Sequence, residues 1–319
     1  MSKKPKVGMW SGLTAVTAVL TAGAIVGTTV AFHYTTTVNN YLDADTYKII
    51  KGDSDEDTEY FKSDFTSDEE RESYEAELCA QVEAEGAALL KNDNNALPLA
   101  SGAKVSLFGH GSVDLMYGGT GSGSVDTSKA PNFKQALEDQ GIQVNSTLWD
   151  LYSSDDMMKN YSRITPAAIS DTLEANTQYA VNEAPWSKLS SAESSFADYG
   201  DAAIVVFSRS GGEGADLPSG ENGTNDSWIK GQEGDGNYLA LSAEEKELLQ
   251  NLKTLKDNGT FKKIIVLINS SNAIEMDFLN PEICGEDYGI DSAMWIGDVG
   301  QTGINGVAQL LAGEATPSG

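Results

Sequence analysis

Histidine and cysteine, the side chains that most often bind transition metals, are scarce in this sequence. Its 319 residues include 2 histidines and 2 cysteines, and Cys79 and Cys284 are too far apart to form a short metal-binding motif. This scarcity argues against a transition-metal site, and we expect neither a metal nor a cofactor. The two cysteines are compatible with one disulfide or with two unpaired buried thiols, and both interpretations stay open.

Basic residues are also few. The sequence has 21 lysines and arginines against 48 acidic residues, which gives a formal net charge of -27 at pH 7. A chain this acidic repels the phosphate backbone of DNA or RNA, so we expect no nucleic-acid partner. The excess of acidic side chains is typical of a solvated surface.

Charged residues are absent from residues 9–32. This run is long enough to cross a bilayer as a helix, and lysines before it with acids after it predict an N-terminus inside the cytoplasm. A cleaved signal peptide is the alternative, since small residues at 21–24 suit cleavage. Because the run continues past that point, we favour a cytoplasmic basic tail (1–8) and a transmembrane anchor (9–32). Either way, the bulk of the chain lies at the cell surface, outside the cytoplasm.

Residues 33–70 are polar and acidic. The run DSDED at residues 53–57 is compatible with a calcium loop, but the central glycine of that pattern is absent. A solvated spacer fits the composition better. We therefore expect residues 33–70 to be an acidic spacer and residues 71–319 to form one folded domain.

The folded domain begins with a capping pattern at residues 67–70, a serine followed by acids. We expect a helix from there to about Leu90, stopped by the polar residues 91–95 and by Pro98. The predicted buried side of this helix comprises Tyr74, Leu78, Val82, Ala88 and Leu89.

Apolar, β-branched runs alternate with helical patterns through the rest of the chain. Strands are predicted at residues 104–109, 142–144, 203–207, 264–268 and 291–296. Helices are predicted at residues 132–140, 242–255, 273–279 and 303–312. This alternation implies right-handed crossovers and a mostly parallel sheet sandwiched by helices, which is the α/β class.

A glycine-rich loop follows the strand at residues 203–207. It contains Gly211, Gly212 and Gly214, with the carboxylate of Glu213 between them. The strand delivers this acid to the carboxyl edge of the sheet, where open α/β sheets bind ligands. A solvated loop glutamate and a general acid are both compatible with this pattern.

A second glycine-rich loop, GGTGSG at residues 118–123, follows the strand at residues 104–109. Its glycine spacing differs from that of dinucleotide-binding loops, so a nucleotide site is disfavoured. Bare glycines and small hydroxyls here suit close contact with a polar ligand. His110, just before this loop, is either a structural histidine or a ligand contact.

Several motifs in one order identify a family. Residues 74–319 resemble the α/β sandwich domain of glycoside hydrolase family 3, which includes many β-glucosidases and β-xylosidases. The motifs that carry the resemblance are EGAALLKN (85–92), GGTGSG (118–123), SRSGGEGAD (208–216), LSAEE (241–245), WIGDVGQTG (295–303) and the final PSG (317–319).

The resemblance implies roles for individual residues. Glu213 corresponds to the general acid/base of the family, and Asp216 organises its loop. The residues expected to contact the sugar are Gly119, Thr120, Gly121, Ser122 and Asp216. The implied substrate is a β-linked oligosaccharide or glycoside, cleaved by an exo-acting enzyme. Leu217 departs from the family pattern, in which an arginine often stands, and this puts a local substrate or loop contact in doubt.

The larger departure from the family pattern concerns the catalytic nucleophile. In the family, a nucleophilic aspartate lies on a separate (β/α)8 barrel, and no repeat long enough for a barrel is present here. We therefore interpret the chain as part of a reversed-order enzyme or as a truncated member, inactive alone, with a barrel as its partner in cis or in trans. A membrane-anchored carbohydrate-binding domain without chemistry and, more remotely, a nucleotide-binding domain are the alternatives.

Overall fold

The structure is a computed structural model that describes residues 7–42, 61–119, 121–164, 180–211 and 237–319. The chain divides into two units, residues 1–63 and residues 64–319. The first unit contains helices α1 (Val7–His33) and α2 (Thr35–Tyr41). Within α1, Trp10–His33 has a mean hydropathy of 1.8 and the length to cross a bilayer, properties that signal sequences near an N-terminus share.

The second unit is built on one sheet. Its six strands among the described residues are β1 (Ala88–Asn92), β2 (Lys104–Phe108), β3 (Gln143–Val144), β4 (Ala202–Ser208), β5 (Ile264–Asn269) and β6 (Ser292–Trp295). Their order is β1-β6-β5-β4-β2-β3. All neighbouring pairs are parallel except β1 with β6 at one edge. The expected mostly parallel α/β sheet is therefore confirmed.

Helices cover both faces of the sheet. They are α3 (Asp68–Gly86), α4 (Phe133–Asp139), α5 (Ser146–Tyr152), α6 (Asp155–Asn160), α7 (Ala243–Asp257), α8 (Pro281–Cys284) and α9 (Ile304–Ala312). Alternate residues of β4 enter two separate apolar cores: Ile204 and Val206 pack with α4 and α9, while Val205 and Phe207 pack with α5 and α7. Alternation along a strand explains how one continuous apolar run serves both cores.

Helix α7, predicted at residues 242–255, begins with a capping box. The side chain of Ser242 accepts a hydrogen bond from the backbone N–H of Glu245, and the Glu245 carboxylate accepts one from the N–H of Ser242. This reciprocal capping box satisfies two donors that the first turn of a helix leaves open.

The helix expected to reach Leu90 ends at Gly86 instead. Ala87 has extended backbone angles, and the following residues form β1, whose partner β6 lies about 200 positions away in the sequence (Asn92 pairs with Ser292). The predicted buried side is also wrong. Tyr74, Leu78, Val82 and Leu89 are exposed, and Ala88 is only half-buried, whereas Ala80 and Ala84 of α3 are the buried residues.

The close approach of α9 explains which side of α3 is buried. A methyl carbon at Gly306 of α9 would lie 2.1 Å from the carbonyl oxygen of Ala80. Only small side chains fit between helices at this separation, so the alanines face inward. The large apolar residues occupy the opposite side of α3.

The structure also corrects the helix expected at residues 273–279 and decides between the two interpretations of the cysteines. The helix expected at residues 273–279 is absent from residues 273–276, where the backbone N–H of Glu275 donates to the distant carbonyl of Leu239. A short 3₁₀ turn (Asp277–Leu279) and then α8 follow. The cysteines are not paired: both are free and half-buried.

Candidate functional site

The carboxyl ends of the parallel strands meet at one edge of the sheet, and Asn269 at the end of β5 joins two of the connecting loops. Its side-chain amide donates to the carbonyls of Met116 (3.0 Å) and Gly297 (2.7 Å). Its carbonyl oxygen accepts from the N–H of Met116 at 2.6 Å. The loops that follow β2 and β6 are therefore held against the end of β5 by one buried side chain.

The glycine-rich loop continues from this junction. The N–H of Gly300 donates to the carbonyl of Tyr117 (2.8 Å), which ties the loop to the segment after β6. A methyl carbon at Gly118 would lie 2.4 Å from the carbonyl oxygen of Gly123, so the turn closes on itself without room for a side chain.

Three of the four predicted sugar contacts in this loop are described. Gly119 is half-buried, whereas Gly121 and Ser122 lie on the surface in a short 3₁₀ turn (Gly121–Gly123). Thr120 lies outside the described residues. The loop thus presents small, exposed residues next to the carboxyl edge of the sheet.

Arg163 connects the loop after β2 with the end of β4. Its guanidinium pairs with the Asp114 carboxylate at 3.1 Å and donates to the backbone carbonyls of Asp114 and Leu115. It also donates to the hydroxyl of Ser208, the last residue of β4, at 3.1 Å. Burial alone would raise the pKa of Asp114, but the hydrogen bond from His110 and the charge of Arg163 hold that pKa below its usual value.

His110 is part of the same network. Its backbone N–H donates to the Glu183 carboxylate at 2.7 Å, and its Nε2 lies 3.2 Å from Asp114. Only 2% of His110 is exposed, which favours the structural interpretation over a ligand contact. Burial raises the pKa of Glu183 to about 7, although the N–H of His110 and that of Ala184 lower it in part.

The segment that contains Glu213 is held at its two ends. Arg209, just after β4, donates to the backbone carbonyls of Tyr238 (2.8 Å) and Ala240 (2.7 Å) and to the Glu245 carboxylate (2.7 and 2.8 Å). The Tyr238 hydroxyl accepts from the N–H of Ser210 at 2.9 Å. Residues 209–210 and 238–240 are therefore joined, and we call this junction the neck.

Glu213 and Asp216 themselves lie outside the described residues, in the part of the sequence between Gly211 and Asn237. The nearest described residue is Gly211. A methyl carbon there would lie 2.2 Å from the side-chain nitrogen of Asn272, which follows β5. The chain that enters the predicted acid/base loop therefore starts at the carboxyl edge of β4 and β5.

A pair of carboxyl groups also lies near this edge. Asp298, after β6, accepts hydrogen bonds from the N–H (3.2 Å) and the hydroxyl (2.9 Å) of Ser271. Burial, and then the charge of Asp298, raises the pKa of Glu83 on α3 to about 8. Its Oε1 is buried and has no hydrogen-bond partner among the described residues.

Sequence reasoning did not assign roles to Arg163, Asn269, Glu83 or Tyr238. Asn269 had a usable signal, because a single polar residue at the end of a buried apolar strand often points into a site. Arg163 had none, since its partners Asp114 and Ser208 are 49 and 45 positions away.

The sequence of this chain is similar to that of known proteins. The model of the Glycosyl hydrolase family 3 C-terminal domain matches residues 87–319. A β-glucosidase of Ruminococcus albus is 30% identical over 246 residues, and β-glucosidase A of Butyrivibrio fibrisolvens is 30% identical over 260 residues. Each alignment covers 76% of this chain but only 22% and 28% of those proteins, so the chain spans about a quarter of their length.

Solved structures agree with the fold. A β-glucosidase from Paenibacillus barengoltzii has a TM-score of 0.55 and 27% identity, covering 76% of this chain and 23% of that one. The β-glucosidase 3B of Thermotoga neapolitana, solved in complex with glucose, has the same TM-score of 0.55 at 24% identity, covering 78% of this chain and 30% of that one. At that identity the second likeness bears on the fold alone.

Proposed function

The chain belongs to glycosyl hydrolase family 3, and from that membership we propose that residues 71–319 are the acid/base-bearing domain of a retaining, exo-acting β-glycosidase. The observation that supports this most directly is the shared edge of the sheet. Gly211, which leads to Glu213, and the loop that contains Gly119, Gly121 and Ser122 both follow the carboxyl ends of neighbouring parallel strands. A sugar bound at this edge could be reached from both loops.

The proposed chemistry needs two carboxyl groups about 5 Å apart. Glu213 donates its proton to the glycosidic oxygen as the bond to the anomeric carbon breaks, and the glycosyl group passes to a nucleophilic carboxylate. Glu213, now ionised, takes a proton from the water that attacks the glycosyl-enzyme. This second step releases the sugar, frees the nucleophile and restores the proton on Glu213.

The hydrogen bonds of the neck support the proposal that the loop with Glu213 is held in a defined position. A general acid must be held close to the leaving oxygen, and small errors in position are costly in rate. The hydrogen bonds of Arg209 and Tyr238 fix where the segment that contains Glu213 leaves and rejoins the fold. Asp216 acts within this segment by organising the loop and contacting the sugar.

The nucleophile is proposed to come from another domain. Family resemblance assigns it to a (β/α)8 barrel, and the described residues of the second unit form a single open sheet. The barrel is the partner of this domain, in cis or in trans, and the chain alone is inactive.

The proposed substrate is a β-linked glucoside or xyloside. The matched proteins of Ruminococcus albus and Butyrivibrio fibrisolvens carry the name β-glucosidase, which supports a β-glucoside first. The proposed setting is the outer face of a membrane, with residues 1–8 in the cytoplasm, residues 9–32 as the anchor and residues 33–70 as a spacer. The apolar length of α1 supports an anchor and a leader equally.

A carbohydrate-binding domain without catalysis is the alternative. It is favoured by the small, exposed residues Gly121 and Ser122, which suit contact with a sugar and need no chemistry. The coding sequence after Gly319 separates the two functions: an in-frame barrel supports the enzyme, and a stop codon with no barrel encoded nearby supports the binding domain.

The purified chain tests the proposed division of roles. We expect no turnover of nitrophenyl β-glucoside by the chain alone, because the nucleophile is missing. Turnover that disappears in the Glu213→Gln variant would mean that the chain holds both carboxylates, and would contradict the need for a barrel.

A further inference from the structure

Helix α3 has two apolar sides, and the second unit covers one of them. The covered side contains Ala80 and Ala84, which are 6% and 5% exposed and lie against α9. The hydroxyl of Thr302 also donates to the carbonyl of Ala76 on this side, at 3.1 Å. These contacts fix the rotation of the helix about its axis.

The other side contains the large apolar residues. Tyr74, Leu78 and Val82 follow one another at intervals of four residues and are 52%, 43% and 63% exposed. At 100° per residue they lie about 200° from Ala76, Ala80 and Ala84, which is nearly opposite. We call these three residues the outer α3 face. The ring of Phe65 contacts the ring of Tyr74 at 5.3 Å and extends the face at its N-terminal end.

Single exposed apolar residues are common, but a row on one helix face is typical of a binding surface. Fixed packing of the alanine side means that α3 cannot rotate to bury this row. In the described second unit, the outer α3 face is left uncovered, and it lies before residue 87, where the family match begins.

The charges beside the outer α3 face restrict what can cover it. At 100° per residue, six charged or polar side chains surround the row: Glu70, Glu75, Glu77 and Gln81 flank its two long sides, and Arg71 and Glu85 lie at its two ends. Four of them are acidic, and the single basic residue, Arg71, is paired with Glu75 at 2.9 Å and with Asp68 at 3.4 Å. Two copies of this helix facing each other would bring like charges together, which disfavours a second copy as the occupant.

We propose that the outer α3 face is a docking surface for a helix of a partner protein, one whose apolar side chains are bordered by lysine and arginine. The apolar row provides the buried centre of the contact, and the acidic borders pair with the basic residues of the partner. This docking is independent of the chemistry of Glu213, so each proposal can fail without the other.

A synthetic peptide tests the surface directly. The probe is a fluorescein-labelled amphipathic helix with leucine at the heptad core positions and lysine elsewhere. It is titrated into the full chain, held in zwitterionic detergent micelles, and binding is followed by anisotropy. Hydrogen exchange of the α3 amides in the presence of the peptide locates the site.

Two variants separate docking from plain charge attraction. Leu78→Glu and Ser73→Glu add the same charge to exposed positions of α3, but only the first lies in the apolar row. Docking predicts that Leu78→Glu weakens binding at least about tenfold, while Ser73→Glu binds as tightly as the unchanged chain or more tightly. Tyr74→Ser should weaken binding without any change of charge.

The micelles are the same in all titrations, so peptide bound to detergent cancels in the comparison. Equal binding by Leu78→Glu and Ser73→Glu, or absence of protection in α3, would overturn the proposal. A chain that is dimeric without peptide and becomes monomeric in the Leu78→Glu variant would also overturn it, because the occupant would then be a second copy.

Discussion

The guanidinium of Arg209 and the carboxylate of Glu245 form an ion pair that is withdrawn from solvent, with 0% and 1% of the two side chains exposed. The remaining donors of this guanidinium go to the backbone carbonyls of Ser208, Tyr238 and Ala240. The pair thus joins the start of α7 to the end of β4. Because both charges are desolvated, removal of either partner leaves the other without compensation.

The first prediction concerns this pair. Arg209→Met should lower the free energy of unfolding by about 3–5 kcal/mol, because a buried carboxylate loses its partner. Arg71→Met, which removes an exposed pair on α3 that solvent screens, should leave the free energy of unfolding nearly unchanged. Urea denaturation of both variants gives the comparison. Similar small losses in both would mean that the Arg209 pair adds nothing to the neck.

The second prediction concerns pH. Burial raises the pKa of Glu83 from 4.5 to about 8, so the folded chain keeps a proton that the unfolded chain releases. The stability from this group is complete below pH 4.5 and is lost as the pH rises through about 8. The loss should be on the order of 5 kcal/mol by about pH 9.

The Glu83→Gln variant should lose several degrees less of its melting temperature over that pH range than the unchanged chain, and the loss that stays comes in part from Glu183, whose pKa is also raised. Glu85→Gln, at an exposed position of the same helix, serves as the control and should follow the unchanged chain. Parallel melting curves for Glu83→Gln and the unchanged chain would contradict a proton on Glu83 at neutral pH.

The third prediction concerns the contact between α3 and α9. Gly306→Ala should destabilise the fold by about 1–3 kcal/mol, because the added methyl meets the Ala80 carbonyl. Helix propensity alone predicts the opposite sign, a gain of up to about 1 kcal/mol for alanine over glycine. Gly86→Ala, where no atom lies within 4 Å of the added carbon, is the matched control. A gain in stability at position 306 would show that the helices can move apart freely.

The fourth prediction concerns Asn269. Asn269→Ala leaves the N–H of Met116 and the carbonyl of Gly297 without this partner, whereas the carbonyl of Met116 keeps the N–H of Val299. We expect a loss of about 2–4 kcal/mol, since each unsatisfied buried group costs about 1–3 kcal/mol and relaxation recovers part of it. Asn251→Ala, at a half-buried position of α7 where the amide donates to the Glu247 carbonyl one turn earlier, should cost little. Chemical denaturation measures both, and an equally small loss in the two would mean that water replaces the lost hydrogen bonds.

Strands were easier to predict from this sequence than the orientation of helices. A run of apolar, β-branched residues such as 203–207 can bury both of its sides only in the middle of a covered sheet, and β4 lies there. The capping box of α7 was equally readable, because Ser242 and Glu245 interact within one turn. Each of these signals comes from residues that are close together in the sequence, so both elements can be predicted without knowledge of the fold.

The side of α3 that faces inward was not readable. It depends on Gly306, more than 200 positions away, and on how closely two backbones approach. The rule that large apolar residues face the core therefore failed for Tyr74, Leu78 and Val82. The strand β1 was missed for a related reason, since its partner β6 lies at the far end of the chain.

The loops of the candidate site have recognisable sequence motifs, whereas the side chains that hold these loops together do not. The glycine-rich loop with Gly119, Gly121 and Ser122 has a recognisable pattern, as does the motif around Glu213. Arg163 and Asn269, which hold the loops together, act through single hydrogen bonds to distant residues. Such contacts follow from the fold and leave no spacing in the sequence.

The central claim is that Glu213 is the acid/base, and a chimaera tests it most directly. Residues 87–319 replace the matched region of the Ruminococcus albus β-glucosidase, the rest of which is expected to supply the proposed barrel, and the chimaera is compared with its Glu213→Gln variant. Loss of a general acid should lower kcat/KM about 10²–10⁴-fold for methyl β-glucoside, whose leaving group needs a proton. Dinitrophenyl β-glucoside needs no such help, so its loss should be much smaller. Equal rates for the chimaera and its variant on both substrates would contradict the assignment.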